Sequence, residues 1–411
     1  MAVLPLAALR PLTTLFARLV GTAINFALLL VAMRHHGPET TGQLYVTIAT
    51  TALLGTLFAL GLPKFFLRAL AVSGPAPGPL HHAAAWLATL GAALSIALAA
   101  SALLAPPALT SPLLLAAAGV GQATLSLRAD LCKARQHPEL ALFLELSAVP
   151  LLTLAALALP ALAPHGPAAL YALATIVAAA LAALPRARLH PGPALPVLRA
   201  HLQAEGRAKI LAYWSTSLAT IGYSRLHGLV APFLLDPVAI GVLAILTGVA
   251  GLLATIAQAV GAYAAPRFAR ACAMSPDAAR HLYWHIARLQ SALALPLALG
   301  LWLGAAPLLA LFVPKALAAQ TPLAILIAAQ SLRIALGNSE TFLLMAGRPR
   351  AELVSISLSV MLFAAVLASA PPTLLHYCLA IATLICTRAL CSLFASAHVF
   401  WARPLRARAP A

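Results

Sequence analysis

Four arginines, Arg18, Arg225, Arg333 and Arg388, lie inside long apolar stretches of this 411-residue chain. Arginine is a permanently charged, planar fork of donors matched to carboxylate and phosphate oxygens. Near the centre of a bilayer it costs at least ~2.5–3.5 kcal/mol on insertion scales, so it faces a cavity or a partner. Arg18 shares a helix face with Thr22 and Asn25, at i+4 and i+7. Arg225 stands among Tyr223, Ser224 and His227, and Glu340 follows Arg333 two turns on along the same face. Such residues suit binding of an anion; the other reading is pairing within a bundle or snorkelling to the interface. Glu145 is either an interfacial acid or a proton site. His227 titrates near neutral pH if solvated and is otherwise structural.

The elements that position these residues are about twelve apolar stretches. The chain is 62% apolar and 9% charged, with a mean hydropathy of +0.96, outside the range of soluble domains. A span needs roughly 20 apolar residues, and lipid leaves the backbone no partner but itself, so the spans are helices. They are expected near 11–33, 43–63, 83–105, 110–127, 139–160, 168–185, 208–235, 238–264, 284–306, 318–346, 351–370 and 373–402. The chain is thus read as an all-α polytopic membrane protein. Of the 26 basic residues, 20 fall in alternate gaps or at the termini, and the opposite gaps carry only Arg34 and Lys315. The positive-inside rule then places both termini in the cytoplasm.

The formal charge of +17 serves topology and contact with anionic headgroups. Nucleic acid is not an expected partner, because no soluble basic face with interleaved aromatics exists. The first span is too long for a removable signal. Cys132, Cys272, Cys378, Cys386 and Cys391 form no CxxC pair, and adjacent histidines at 35–36 and 81–82 do not share a helix face, so no metal is expected. No Walker motif, paired carboxylates or nucleophile constellation is present, which predicts neither a cofactor nor an enzyme.

A proline-rich basic gap at 186–207 divides the chain into expected six-helix lobes, 1–185 and 208–411. Leu195, Leu198 and Leu202 within it predict a short amphipathic helix on the membrane surface. The halves align at a shift of 199 residues: Pro38 on Pro237, Gly42 on Gly241 and Arg68 on Arg267. A parallel repeat gives two lobes related by an axis along the membrane normal. Gly300 and Gly304 form a GxxxG expected to pack helices closely. Gly37–Pro38 and Gly61–Pro63 are read as bend points or helix ends.

The residues also carry a family resemblance. The run HHGPETTGQLY after a first span with Asn25, the LGLP ending of the second span and Arg68 resemble the start of bacterial Wzx-type polysaccharide flippases. YSRLHGLVAPFLLDPVAIGVLAI is similar to their seventh and eighth helices. PLLALFVPKALAAQTPLAILIAAQ and LLMAGRPRAE are similar to the ninth and tenth. The resemblance implies the superfamily fold shared with the peptidoglycan lipid flippase and MATE multidrug exporters, in the bacterial inner membrane. It further implies an undecaprenyl-diphosphate-linked oligosaccharide as cargo, with glycan-synthesis proteins as possible partners. On that basis Arg18, Asn25, Arg225, His227 and Arg333 are the substrate-binding set, with Arg18 and Arg225 facing each other across the cavity. Glu340 and Glu145 are the coupling or structural partners. Where many relatives carry an acid in the seventh span, this chain has Ser224 and Arg225. A MATE-type exporter is the competing reading, and a membrane glycan polymerase or ligase a weaker one.

In a cysteine-free background, Glu39→Cys should react with an impermeant maleimide added outside cells, and Asp277→Cys only after permeabilisation. The reverse pattern would invert the topology.

Overall fold

The computed structural model describes residues 6–73, 79–104, 107–134, 137–162, 165–183, 196, 199–200, 207–312 and 316–401. Among them every regular element is helical: α1 (Leu6–Ala59), α2 (Leu62–Ser73), α3 (Pro79–Leu104), α4 (Pro107–Ala134), α5 (Pro138–Leu142), a π-helical turn (Phe143–Ser147), α6 (Ala148–Leu157) and α7 (Pro167–Ala183). After the mid-chain gap come α8 (Arg207–Val230), a 3-10 turn (Ala231–Phe233), α9 (Pro237–Met274), α10 (Pro276–Leu303), α11 (Ala305–Phe312), α12 (Ala316–Ala335), α13 (Ser339–Met345), α14 (Pro349–Ala368) and α15 (Leu374–Trp401). Eight helical stretches among the described residues are long and apolar enough to span a membrane; Pro167–Ala183 is apolar but shorter. The protein is an all-α, multi-pass membrane protein. The amphipathic helix expected over Leu195, Leu198 and Leu202 lies outside the described residues.

The chain forms two compact units, Met1–Ala244 and Ile245–Ala411, with the boundary falling within α9. The first unit extends past the mid-chain gap because α8 packs on α1. Trp214 Nε1 donates to the Leu57 carbonyl at 3.2 Å, and the rings of His227 and Tyr45 lie 6.2 Å apart. α8 therefore runs antiparallel to the second arm of α1.

A straight helix of 54 residues would be about 81 Å long, well beyond the ~30 Å hydrocarbon core. Gly37, at φ 82° and ψ 175°, breaks α1 into two arms. Only glycine takes that backbone conformation without steric cost, and Pro38, with its φ already set, suits the start of the next arm. Gly61, at φ 75°, does the same between α1 and α2. Both Gly–Pro pairs are thus helix ends that reset the chain direction. Phe65, Phe66 and Leu70 of α2 then bury against Leu80, Ala84 and Ala88 of α3 and Leu127 and Leu131 of α4.

Within the first unit the two repeated motifs meet one another. A Cβ on Gly42 would lie 2.8 Å from the Pro237 carbonyl oxygen and 3.1 Å from Gly241 N. One on Gly241 would overlap the Pro38 carbonyl. Pro38–Gly42 and Pro237–Gly241, equivalent by sequence, cross backbone on backbone. The GxxxG in α10 behaves otherwise. A Cβ on Gly300 would meet nothing within 4 Å, and nearby Leu299, Trp302 and Leu303 are exposed. The expected close packing there is absent, because Gly300 lies on an open stretch of α10.

In the second unit the core is aromatic. Phe342 packs edge-on against Phe268 and Tyr283, each at 5.4 Å between centroids, with Phe400 at 5.1 Å. Tyr283 donates its hydroxyl to the Leu336 carbonyl at 2.5 Å. Gly337, at φ 84°, ends α12, and buried Asn338 donates to the Ala257 carbonyl at 2.9 Å and to Gln290 Oε1 at 2.8 Å. These bonds hold a helix break deep in the bundle, where lipid offers no substitute partner.

Gly241→Ala should destabilise the detergent-solubilised protein by about 1–3 kcal/mol through overpacking, whereas Gly300→Ala is neutral. Thermal unfolding of both variants would check this.

Candidate functional site

The arrangement of charges begins in the first unit with a ladder of alternating sign. Lys64 Nζ lies 3.6 Å from Asp130 Oδ2, and Lys133 Nζ lies 2.9 Å from Asp130 Oδ1 and 2.5 Å from Glu145 Oε1. Glu145 in turn is the acidic electrostatic neighbour of Arg18. Glu145 sits on the π-helical turn, an interruption that recurs at functional sites. It is therefore not a lone interfacial acid. Burial acts to lower the pKa of Lys133, but Asp130 and Glu145 outweigh it and hold the ammonium above the ordinary lysine value.

Asn25, expected to meet cargo, donates its amide to the Gly21 carbonyl at 3.0 Å and the Leu146 carbonyl at 2.6 Å. It ties α1 to the π turn. That turn leaves a carbonyl outside the regular i→i−4 pattern, and a side chain from α1 supplies its donor.

Arg18 and Arg225 have different neighbours. Arg18 lies at the end of the unit that holds Lys133 and Glu145. Half-buried Arg225 lies five residues from the end of α8, with Tyr171 and His227 as electrostatic neighbours. His227 stacks loosely on Tyr45, close after the Gly37 break. Arg18 thus belongs with the first arm of α1 and the π turn, and Arg225 with α8 and the start of α7. Among the described residues no carboxylate forms an ion pair with Arg225. On the second arm of α1, Thr51 is buried and Thr47 donates back to the Gln43 carbonyl at 2.8 Å.

The second unit holds a closed ionic network. Arg333 Nε donates to Glu340 Oε1 at 3.1 Å, and Arg388 Nη2 reaches Glu340 Oε2 at 3.1 Å and Glu352 Oε1 at 2.5 Å. Ser392 Oγ donates to Glu352 Oε2 at 2.9 Å. Glu352 and Arg388 are only 4% and 7% exposed, so solvent does little to screen the pair. Arg333 meets Glu340, the partner its helix face offered. Glu352 escaped the sequence reading, although a hairpin signal existed: α14 and α15 are joined by a short turn, which brings Glu352 opposite Arg388 and Ser392. No group of three or more His, Cys, Asp or Glu suited to a metal occurs among the described residues.

No family model matches the chain, and no curated protein does. Solved structures match over nearly the whole length. An outward-facing multidrug resistance MATE family transporter of the MOP superfamily aligns at a TM-score of 0.56 and 13% identity, over 95% of both chains. A eukaryotic MATE transporter aligns at 0.58 and 15%, over 93% of this chain and 95% of its own. The lipid II flippase MurJ, in an inward closed conformation, aligns at 0.62 and 12%, over 93% and 86%. At these identities the likeness establishes the fold. Two branches of differing cargo share it.

Glu352→Gln should destabilise the protein by about 1–3 kcal/mol, because buried Arg388 loses one of its two carboxylate partners and keeps only Glu340, while replacing Glu352 and Arg388 together by leucines costs less. Chemical unfolding of both variants would test the network. Because Lys133 is raised above 10.5, its contribution to stability is complete below that pH and is lost only as pH rises through the folded value.

Proposed function

We propose that this protein is a lipid-linked oligosaccharide flippase. It moves undecaprenyl-diphosphate-linked glycan precursors across the bacterial inner membrane by alternating access, with both termini cytoplasmic and without covalent chemistry. Arg225 carries this reading: a permanent cation within an apolar helix, beside Tyr171 and His227, with no carboxylate paired to it among the described residues. An anion is the ligand that such a group lacks, and a diphosphate offers the fork geometry that a guanidinium matches. Arg18, on the first arm of α1 beside Glu145, gives the same headgroup a second cationic station. Glu145 is its counter-anion while cargo is absent. Arg333 then has a structural role, since Glu340 holds it.

The expected lobes, 1–185 and 208–411 joined by 186–207, fit this reading as the moving bodies. Glycan-synthesis proteins are the partners it implies. The MATE-type exporter remains the second reading, favoured by the solved structures that share the fold. Against it, the intramembrane acids Glu340 and Glu352 are engaged by arginines, which suits them poorly to hold cationic drugs.

In proteoliposomes, the intact protein should translocate a fluorescent polyprenyl-diphosphate saccharide. Arg225→Gln should slow it roughly tenfold or more, with Arg225→Lys intermediate. Export of a cationic dye without saccharide translocation would move the protein to the exporter reading.

A further inference from the structure

Away from α1 and α8, the first unit carries a lateral groove of about 720 Å³ walled by α4, α5, the π turn, α6 and α7. Its size is that of a small-molecule pocket, and its lining is almost wholly apolar. Leu140, Phe143, Leu151 and Leu181 stand exposed along it at 51%, 46%, 39% and 52%. At one end lie the polar lining groups, Arg128 and His137. Arg128 is itself buried, fixed in place by an Nη2 bond of 3.2 Å to the Ala183 carbonyl at the end of α7. No carboxylate lines the groove. The cationic end therefore has a fixed sign, and the rest of the groove is oil-like.

From Leu140 to Ala155 the apolar wall runs about 22 Å at the helical rise, longer than the ~15 Å depth of one leaflet's hydrocarbon. One chain of a membrane lipid can lie along it from head to tail. The π turn contributes Phe143 and Leu144 to this wall, so the irregular turn that places Glu145 also shapes the groove. We infer that the groove is a binding site for an anionic phospholipid of the leaflet at the basic end of the bundle. Its phosphate sits at Arg128 and one acyl chain lies between α6 and α7. The polyprenyl chain of a cargo is a different occupant, and the lining disfavours it: neither α1 nor α8, which carry Arg18 and Arg225, contributes a residue to the groove.

The test is photolabelling in nanodiscs of phosphatidylcholine doped with a phosphatidylglycerol bearing a diazirine on one tail. Adducts should map to the α6–α7 groove and be competed by unlabelled phosphatidylglycerol but not by more phosphatidylcholine. Arg128→Gln should reduce them roughly fivefold. Ala155→Trp, an exposed wall position, should block the tail and abolish them in a protein that still elutes as one species. That variant decides the matter if Arg128→Gln does not fold. Equal competition by both phospholipids, or adducts spread around the perimeter, would reduce the groove to ordinary lipid contact and overturn the inference. Displacement of the label by a polyprenyl phosphate at lower concentration than by phosphatidylglycerol would overturn it in favour of cargo.

Discussion

Lipid cannot compensate a polar group, and this single constraint shapes the structure at every scale. It makes every described regular element helical, because the backbone must satisfy its own N–H and C=O groups. It also governs the exceptions. The break at Gly337 is closed by Asn338, Gln290 and Tyr283, and the π turn at 143–147 by Asn25. The carboxylates of Glu340 and Glu352 are met by Arg333, Arg388 and Ser392. Each irregularity brings its own hydrogen-bond partner with it.

The two units meet the constraint differently. The second gathers its intramembrane carboxylates, Glu340 and Glu352, into a closed network with Arg333 and Arg388, flanked by an aromatic core. The first spreads its charges along an open series, from Lys64 through Asp130, Lys133 and Glu145 to Arg18, and leaves Arg225 apart from it. A closed network favours rigidity, because no member can leave without stranding another.

Much of this was legible in the sequence. The fold class followed from hydropathy and from the alternation of basic gaps, which report thickness and leaflet, both one-dimensional properties. The pairing of Arg333 with Glu340 was visible because both share a helix face. The Arg388–Glu352 pair was hidden because it joins two helices, though the hairpin between them carried the register. Arg18 and Arg225 were legible as intramembrane cations, but their neighbours Glu145 and Tyr171 lie on other helices and left no mark in the spacing around them. The π turn had a sequence signal that went unread: Pro150 has no N–H for the Leu146 carbonyl four residues earlier, and Asn25 supplies that donor instead. Gly300 and Gly304 illustrate the converse: a spacing that permits close approach does not compel it.

The crossing of Pro38–Gly42 over Pro237–Gly241 has a self-complementary form. Each motif offers a glycine to the other's proline carbonyl, as at a two-fold dimer interface where a patch meets its own copy. A chain of half this length, carrying the motif once and pairing with a second copy, would make the same contact. A larger side chain at either glycine would strike the other segment's backbone, so the two positions constrain each other while the charges around them are free to differ.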